Sequence, residues 1–273
     1  MCGIAGIIYR NGASDVGSDM TRMLQSMKHR GPDSTGYALY GPKGAGVLVR
    51  YKLADSNSPR DFDYLDRLDR HQAEVQSRME SLGAKVLSIG HSLEIIKDLG
   101  DAESVAGQYD LNLFTGTHAI GHVRMATESD VDISGAHPYW AYPFSDVAVV
   151  HNGQLTNYFY WRRRLERNGH RFQSECDSEI IAVYLAEQMA EGKSLEDSMR
   201  QSLEELDGVF TYMCVTADAL GVCKDEMAAK PLVLYEGEDM VAMASEEMAI
   251  RAIIDHEIET YDPYESEVLV WTR

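Results

Sequence analysis

The sequence predicts an α+β domain built in layers. Apolar runs typical of strands lie near both ends of the chain, and helical patterns are grouped between them. Alternating βαβ units would interleave strands and helices throughout, so this grouping favours an α+β arrangement. The 273 residues can bury one large core, and no repeat, low-complexity tract or linker divides them. We therefore expect a single domain over residues 1–273.

The N-terminal elements are predicted to be a strand, a helix and two more strands. Residues 2–9 form an isoleucine-rich apolar run that suits a buried strand. Ser18 is predicted to cap a helix that carries methionines and a leucine at helical spacing and ends before Gly31. Strands at 37–40 and 47–51 are predicted to be joined by a Gly-Pro-Lys-Gly turn.

The composition changes between residues 53 and 115, which we interpret as an insertion in the domain. Residues 61–83 have the pattern of a charged amphipathic helix, 85–90 of a strand, and 91–101 of a second helix. No motif falls in this block, although motifs lie on both sides of it. The charge pattern favours a solvated helical cover over a docking surface.

The strand signal returns after residue 117. A long helix-forming region then interrupts it, and short apolar runs follow to the C-terminus. Strands are predicted at 117–125 and 146–151, helices at 155–168 and 177–189, and further strands at 209–216, 221–224, 231–235, 240–244 and 267–271.

Charge and cysteine content narrow the classes of function. The net charge of −19 argues against nucleic acid or an anionic membrane as a partner, because both would repel the chain. No stretch approaches the ~20 apolar residues of a membrane span. Four cysteines without a CxxC pair, and no apolar leader, predict a reducing cytoplasm rather than a disulfide framework. Cys214 and Cys223 flank a predicted hairpin, where two packed thiols are favoured over a disulfide.

Cys2 is the candidate nucleophile. Removal of Met1, usual when the next side chain is small, would leave a thiol and a free α-amine on one residue. The thiol, with a pKa near ~8.5, is mostly protonated at neutral pH, and the amine, with a pKa near ~7.7–8.0, can accept its proton. Retention of Met1 would convert that amine to a peptide N–H. Position two alone would favour a small buried cysteine in a strand.

Five further segments, each bounded by turn residues, decide between these interpretations. They are HRGPDSTG at 29–36, GHVRMAT at 121–127, GAHP at 135–138, VVHNG at 149–153 and SECDSEII at 174–181. With the MCGIAGI start, this ordered series resembles the class II glutamine amidotransferase domain of the N-terminal-nucleophile hydrolases. The resemblance implies a four-layer αββα sandwich, in which two mostly antiparallel sheets lie between helical layers.

The resemblance also implies roles for the residues that would stabilise the reaction. Attack by Cys2 on a carboxamide creates an oxyanion, and the Asn152 side-chain amide and the Gly153 backbone N–H are its expected donors. An isolated Asn-Gly pair would instead suggest a turn. Arg30 and Asp33 are expected to shape the surroundings of the nucleophile without touching substrate.

The far end of glutamine carries a carboxylate and an ammonium, and a selective site should meet each with an opposite charge. Arg124 is expected to grip the carboxylate, with Thr127 adding a hydroxyl donor. Asp177 matches the family's acceptor for the ammonium, although it or Ser174 could cap a helix. His137 is a tempting general base, but the terminal amine makes one unnecessary. We therefore favour a structural role for it and similarly for His29, His122 and His151.

Two departures from the family pattern concern the glutamine pocket. Many relatives have a tryptophan after the arginine and a His-Gly pair after the threonine, where this chain has Met125 and Glu128-Ser129. Pocket closure and coupling to a partner are expected to differ here. The MATES sequence after Arg124 is most similar to the separate amidotransferase subunit of glutamate-synthase-like and N-methylglutamate-synthase-like complexes.

The predicted reaction is hydrolysis of glutamine to glutamate and ammonia through a γ-glutamyl thioester on Cys2. The chain has no phosphate loop, dinucleotide fingerprint or cysteine cluster, so we expect no cofactor or metal in it. The ammonia is expected to pass to a synthase subunit, by resemblance a flavin-bearing one, in a hetero-oligomer. The alternatives are a stand-alone γ-glutamyl amide hydrolase, a lone glutaminase, and a non-catalytic interaction subunit that retains Met1.

Overall fold

The computed structural model describes residues 2–43, 48–53, 70–81, 84–125 and 133–273. In chain order the elements are β1 Gly3–Tyr9, α1 Val16–Ser26, β2 Ser34–Tyr40, β3 Leu48–Leu53, α2 Arg70–Ser81, β4 Ala84–Gly90, β5 Leu93–Leu99, α3 Ala102–Gln108, β6 His118–Arg124, β7 Tyr139–Trp140, β8 Ala148–Leu155, α4 Tyr158–Arg167, α5 Asp177–Ala190, α6 Leu195–Glu205, β9 Gly208–Val215, β10 Ala219–Lys224, β11 Val233–Glu236, β12 Met240–Ala244, α7 Glu247–Arg251 and β13 Val268–Thr272.

Two large antiparallel sheets form the centre of the domain. One has the strand order β11-β12-β1-β6-β2-β5 and the other the order β13-β10-β9-β8-β7, while β3 and β4 form a small separate sheet. Helices α1, α3 and α7 pack on the first sheet, and α5 and α6 pack on the second. The structure thus confirms the predicted αββα sandwich.

β1 illustrates why the central strands are apolar along their whole length. Ile4 and Ile8 lie in the apolar cluster between the two sheets, whereas Ala5, Ile7 and Tyr9 lie in the cluster under α1. Successive side chains of a strand face opposite sides of its sheet. Both sides of β1 are covered, so the short apolar run was the right signal for this strand.

Two of the N-terminal predictions are wrong in detail. Helix α1 begins at Val16 with Asp15 at its N-cap position, so Ser18 does not cap it. The second and third strands do not form a hairpin. Strand β2 lies between β5 and β6, and β3 pairs with β4 instead. Because an interior strand already uses both of its edges, β2 has none left for β3.

The helix predicted at 91–101 is also wrong, because that segment is strand β5. Its backbone pairs with β2, from Ser34 opposite Leu99 to Tyr40 opposite Leu93. The turn before it is held by the buried Asp146 carboxylate, whose Oδ1 accepts the N–H groups of His91 and Leu93 at 2.9 Å each. A distant carboxylate and a neighbouring strand therefore override the local helical spacing.

The rest of the predicted insertion is only partly described. The strand predicted at 85–90 is confirmed as β4, and α2 covers 70–81 of the predicted helix. Residues 61–69 of that helix lie outside the described residues. β5 belongs to the six-stranded sheet, so the insertion limits of 53 and 115 stay a prediction, as does the single-domain assignment.

The C-terminal elements follow the prediction closely, with α4 beginning at Tyr158 rather than at residue 155. Helices α3, α6 and α7 were not predicted.

Cys214 and Cys223 are buried free thiols in β9 and β10, as expected, and not a disulfide. Among the described residues, none of the helices combines the length and apolar character needed to cross a lipid bilayer.

Candidate active site

Cys2 lies where β1 begins, at one end of the six-stranded sheet. Gly3 pairs with Val123 of β6 in the first step of the ladder after Cys2. On the other side, Ile4 N donates to Ser245 Oγ at 3.0 Å, and Ser245 N donates to the Ile4 carbonyl at 2.9 Å. The half-buried Cys2 side chain therefore projects from a backbone that is anchored on both sides.

Two side chains hold the Cys2 carbonyl oxygen. Arg30 Nε donates to it at 3.1 Å, and Asn152 Nδ2 donates to it at 3.3 Å. Arg30 follows α1, and Asn152 belongs to β8 of the other sheet. The two halves of the sandwich thus meet at the candidate nucleophile.

Arg30 is itself held by Glu246, which follows β12. Arg30 Nη1 donates to Glu246 Oε1 at 2.6 Å, and His29 Nε2 lies 3.1 Å from Glu246 Oε2. Burial opposes ionisation of Glu246, but the hydrogen bonds from Arg30 and His29 outweigh it, so the pKa of this carboxyl lies below its ordinary value. We call Ser245 and Glu246 the clamp, because together they fix β1 and the arginine on the Cys2 carbonyl.

Asn152 and Gly153 lie inside β8, opposite Thr211 and Phe210 of β9, and not in a turn. Gly153 has a φ of 150°, which L side chains rarely adopt. A Cβ at this position would lie 2.1 Å from the Val209 carbonyl oxygen. Glycine is therefore required for β8 and β9 to pair at normal distance beside Asn152.

Asp177 is the first residue of α5, but its carboxylate does not cap that helix. Oδ2 accepts the Leu155 N–H at 2.8 Å, and Oδ1 lies 3.7 Å from His151 Nδ1. Ser174, the other predicted cap, instead donates its hydroxyl to Glu179 at 2.6 Å. Asp177 therefore ties the end of β8 to the start of α5.

Arg124 ends β6 beside the turn that contains Asp33. Asp33 N donates to the Arg124 carbonyl at 3.1 Å, and a Cβ on Gly31 would lie 2.5 Å from the Arg124 backbone. A Cβ on Gly135 would lie 2.9 Å from Arg124 Nη2, so the guanidinium rests against that glycine. Thr127, the predicted partner of Arg124, lies outside the described residues.

His137 belongs to a buried cluster with His122, His151 and Ser178, and it forms no hydrogen bond with Cys2 among the described residues. It stacks on His122 with ring centroids 4.0 Å apart, and Ser178 Oγ lies 2.7 Å from His137 Nε2 and 2.9 Å from His151 Nδ1. Nδ1 of His137 and Nε2 of His151 have no hydrogen-bond partner among the described residues. The structural role of His137 stays a prediction.

The cluster predicts an acid-sensitive fold. Burial lowers the pKa of His122 from 6.5 to about 3, and it also lowers the pKa values of His137 and His151. Below about pH 6.5 the unfolded chain binds protons that these native rings do not. The free energy of unfolding therefore decreases as the pH is lowered. Each ring that stays neutral adds a slope of about 1.4 kcal/mol per pH unit.

Urea unfolding between about pH 7.5 and pH 5 measures this slope, with His122→Phe as the comparison. The variant should take up about one proton fewer on unfolding over this range. An equal slope in the two proteins would show that His122 titrates normally in the folded state.

No group of three or more histidine, cysteine, aspartate or glutamate side chains among the described residues is arranged to hold a metal ion.

Of the predicted residues, the structure joins Cys2, Arg30 and Asn152 by direct hydrogen bonds. Arg124 ends β6, Asp33 lies in the turn beside it, Gly153 follows Asn152 within β8, and Asp177 begins α5. Sequence reasoning missed Ser178, although it lies in the segment that contains Asp177, and it missed Ser245 and Glu246. No local pattern marks the clamp, since Ser245 meets Ile4 across 241 positions of the chain.

Comparison of the sequence with known proteins identifies glutamine amidotransferases as relatives. Residues 122–252 match the family described as a glutamine amidotransferase domain, GATase_7. A putative glutamine amidotransferase of Methanothermobacter thermautotrophicus is 38% identical, over 98% of this chain and 99% of that protein. The glutamine amidotransferase-like protein GlxB of Rhizobium meliloti is 34% identical, over 99% of this chain and 98% of that protein.

Solved structures share the fold. Glutamine phosphoribosylpyrophosphate amidotransferase from B. subtilis, complexed with ADP and GMP, matches 99% of this chain with a TM-score of 0.68 and 21% identity. An allosteric regulatory enzyme of purine biosynthesis matches with a TM-score of 0.69 and 22% identity. The chain spans 47% of the length of each of those two proteins.

Proposed function

Since the chain belongs to the class II glutamine amidotransferases, we propose that Cys2, once Met1 is removed, is the nucleophile that hydrolyses the side-chain amide of L-glutamine. The observation that carries this proposal is the pair of hydrogen bonds from Arg30 and Asn152 to the Cys2 carbonyl. They hold Cys2 at the junction of the two sheets, beside Asn152, the residue proposed to stabilise the oxyanion.

The reaction begins with transfer of the thiol proton to the α-amine of Cys2, directly or through one water. The thiolate then bonds to the amide carbon, and the C=O electron pair becomes the oxyanion. The Asn152 amide group has two N–H bonds. With one on the Cys2 carbonyl, the second can donate to the oxyanion together with Gly153 N–H.

Collapse of the oxyanion breaks the C–N bond, and the proton held by the α-amine goes to the leaving nitrogen as ammonia departs. A water, deprotonated by the same amine, then hydrolyses the γ-glutamyl thioester and regenerates the thiol. We assign the substrate carboxylate to Arg124, with Thr127, and the substrate ammonium to Asp177. Oδ2 of Asp177 accepts the Leu155 N–H at 2.8 Å and Oδ1 accepts the Ser178 hydroxyl at 3.4 Å, so the ammonium would share this carboxylate with neutral donors.

We further propose that the ammonia passes to a separate synthase subunit of the glutamate-synthase-like or N-methylglutamate-synthase-like kind. Support comes from the two relatives that match over 99% and 98% of their own length. In contrast, glutamine–fructose-6-phosphate aminotransferase of Methanothermobacter is matched over only 31% of its length. In water near neutral pH ammonia is protonated and loses its nucleophilicity, so a direct transfer path is expected.

The experiment that tests this function measures glutamate and ammonia release from glutamine by the purified chain, together with its intact mass. We expect equal amounts of both products from protein that lacks Met1. Substituted γ-glutamyl amides serve as competing substrates, and preference for them over glutamine would favour a stand-alone amide hydrolase. Protein that retains Met1 and releases no product would contradict the catalytic role. A partner synthase would raise turnover with glutamine if the ammonia path is coupled.

The clamp predicts a specific effect of Glu246→Gln. Without its carboxylate, Arg30 loses its charged partner and holds the Cys2 carbonyl less firmly. We expect kcat for glutamine to fall about tenfold, the lower end of what one hydrogen bond to a charged group contributes, with KM little changed. Glu247→Gln is the matched control, because that exposed carboxylate contacts Arg251 and Thr260 instead.

In this experiment Glu246→Asp should recover part of the lost kcat. Equal activities of the Glu246→Gln and Glu247→Gln variants would show that the clamp has no part in positioning Cys2. Thermal unfolding of both variants separates a positioning effect from loss of fold.

A further inference from the structure

One face of helix α4 carries an arginine cluster on an otherwise acidic protein. Tyr160, Arg163, Arg164 and Arg167 recur at the spacing that places side chains on the same face of a helix. With Asn168 they line a pocket of about 430 Å³. The chain as a whole carries a formal charge of −19. We call these residues the basic face.

The positive charges of the basic face have no carboxylate partner in the described part of the chain. Arg163, Arg164 and Arg167 are exposed, and none of them has a carboxylate within 4.0 Å among the described residues. The opposite side of α4 is occupied, because Trp161 and Leu165 are buried in the apolar cluster under α5. Arg162, in contrast, is engaged by Glu166 and the Ser174 carbonyl. Within the basic face, Arg164 lies over the Trp161 ring at 4.6 Å and Arg163 Nε donates to the Phe159 carbonyl at 3.0 Å, contacts that leave both positive charges without a carboxylate partner among the described residues.

Exposed aromatic rings accompany these arginines. Phe159 is 71% exposed and Tyr160 is 57% exposed. Tyrosine, phenylalanine and arginine are the residue types enriched in protein interfaces. The composition of the face thus fits contact with another protein surface that carries carboxylates.

A surface of that kind occurs on the same chain, between α7 and β13. The segment 255–267 reads DHEIETYDPYESE. Glu259, Asp262 and Glu265 are exposed and form no ion pair among the described residues. Tyr264 beside them is 75% exposed. We call this segment the acidic segment.

We propose that the basic face of one chain binds the acidic segment of a second copy. The two surfaces belong to different parts of the fold. α4 packs against α5 in the helical layer, and Tyr261 of the acidic segment bridges to Leu234 of β11, an edge strand. Reciprocal contacts would close a two-fold dimer, and contacts in one direction would join chains head to tail.

The high net charge does not prevent this association. At about 0.15 M salt the Debye length is ~8 Å, so the overall repulsion between two chains is strongly screened. The attraction within an arginine–carboxylate ion pair in direct contact is screened much less. Association should therefore be strongest near this ionic strength, where the overall repulsion is screened, and should weaken at higher salt, which competes for the exposed charges.

The test is a charge exchange between the two surfaces, read as mass in solution by sedimentation or light scattering. One variant carries Arg163→Glu and Arg167→Glu, and the other carries Glu259→Arg and Asp262→Arg. Arg22→Glu with Arg200→Glu is the control, since these exposed arginines pair with Asp19 and Glu196 elsewhere. Circular dichroism of each variant verifies the fold.

We expect the wild type and the control to have at least twice the mass of one chain, and each surface variant alone to be a monomer. An equimolar mixture of the two surface variants should associate again, because each reversed surface then meets an opposite charge. A wild type that stays monomeric at about 0.15 M salt would overturn the proposal. So would wild-type association that the surface variants leave intact, or a mixture of the two variants that remains monomeric.

Discussion

Replacing Cys2 with alanine is expected to abolish glutamate release from glutamine. Alanine leaves the α-amine, the clamp and the hydrogen bonds to the residue 2 carbonyl in place, but it removes the atom that attacks the amide. Loss of a nucleophile whose site acts as a unit costs on the order of 10⁶-fold in kcat. We therefore expect activity at the background of the assay, measured as glutamate formed per enzyme.

The matched control is Cys176→Ser. Cys176 is the other half-buried cysteine and precedes Asp177, but burial raises the pKa of its thiol and disfavours the thiolate. Serine also suits its position at the start of α5. This variant should keep most of the activity, and Cys2→Ala should still bind glutamine by calorimetry. If Cys2→Ala keeps wild-type turnover, Cys2 is not the nucleophile.

Replacing Asn152 with alanine is expected to have the second largest effect. This residue is proposed both to donate to the oxyanion and to hold the Cys2 carbonyl, which its Nδ2 contacts at 3.3 Å. Removal of one oxyanion donor costs roughly 10²–10³ in kcat. The loss should appear in kcat and kcat/KM alike, because the missing interaction forms only in the transition state.

Gln154→Ala is the control for that measurement. Gln154 lies two residues further along β8 and is exposed. Its replacement should leave kcat unchanged within error. An Asn152→Ala variant that raises KM but keeps kcat would mean that Asn152 binds the ground state of glutamine and does not stabilise the oxyanion.

The elements that the sequence predicted correctly are those whose local pattern and final environment agree. β1, β8 and β9 are apolar runs that end up covered on both faces, and no other element would suit such runs in a layered domain. Helix α6 could have been found as well, since Ser194 accepts the Asp197 N–H in a capping arrangement that the sequence contains. Helix α7, with five residues, is too short for a periodic pattern.

The clearest failure has a tertiary cause. Residues 93–99 carry apolar side chains at spacings that fit a helix or a strand, and the helix was the wrong choice. The segment is a strand because β2 offers it an edge and because Asp146, more than fifty positions away, holds its turn. Neither contact can be predicted from the residues of the segment itself.

By itself, the sequence determined the layered fold class, the motif series of the amidotransferase family and its candidate nucleophile, because each depends on neighbouring residues. Tertiary structure alone decided how the site is assembled. Asn152 reaches Cys2 across 150 positions, and Ser245 reaches Ile4 across 241. Local propensity and periodicity specify conformation and burial along one element. The partners across sheets are selected only when those elements pack, which is why Glu246 and Ser178 joined the site only in the folded structure.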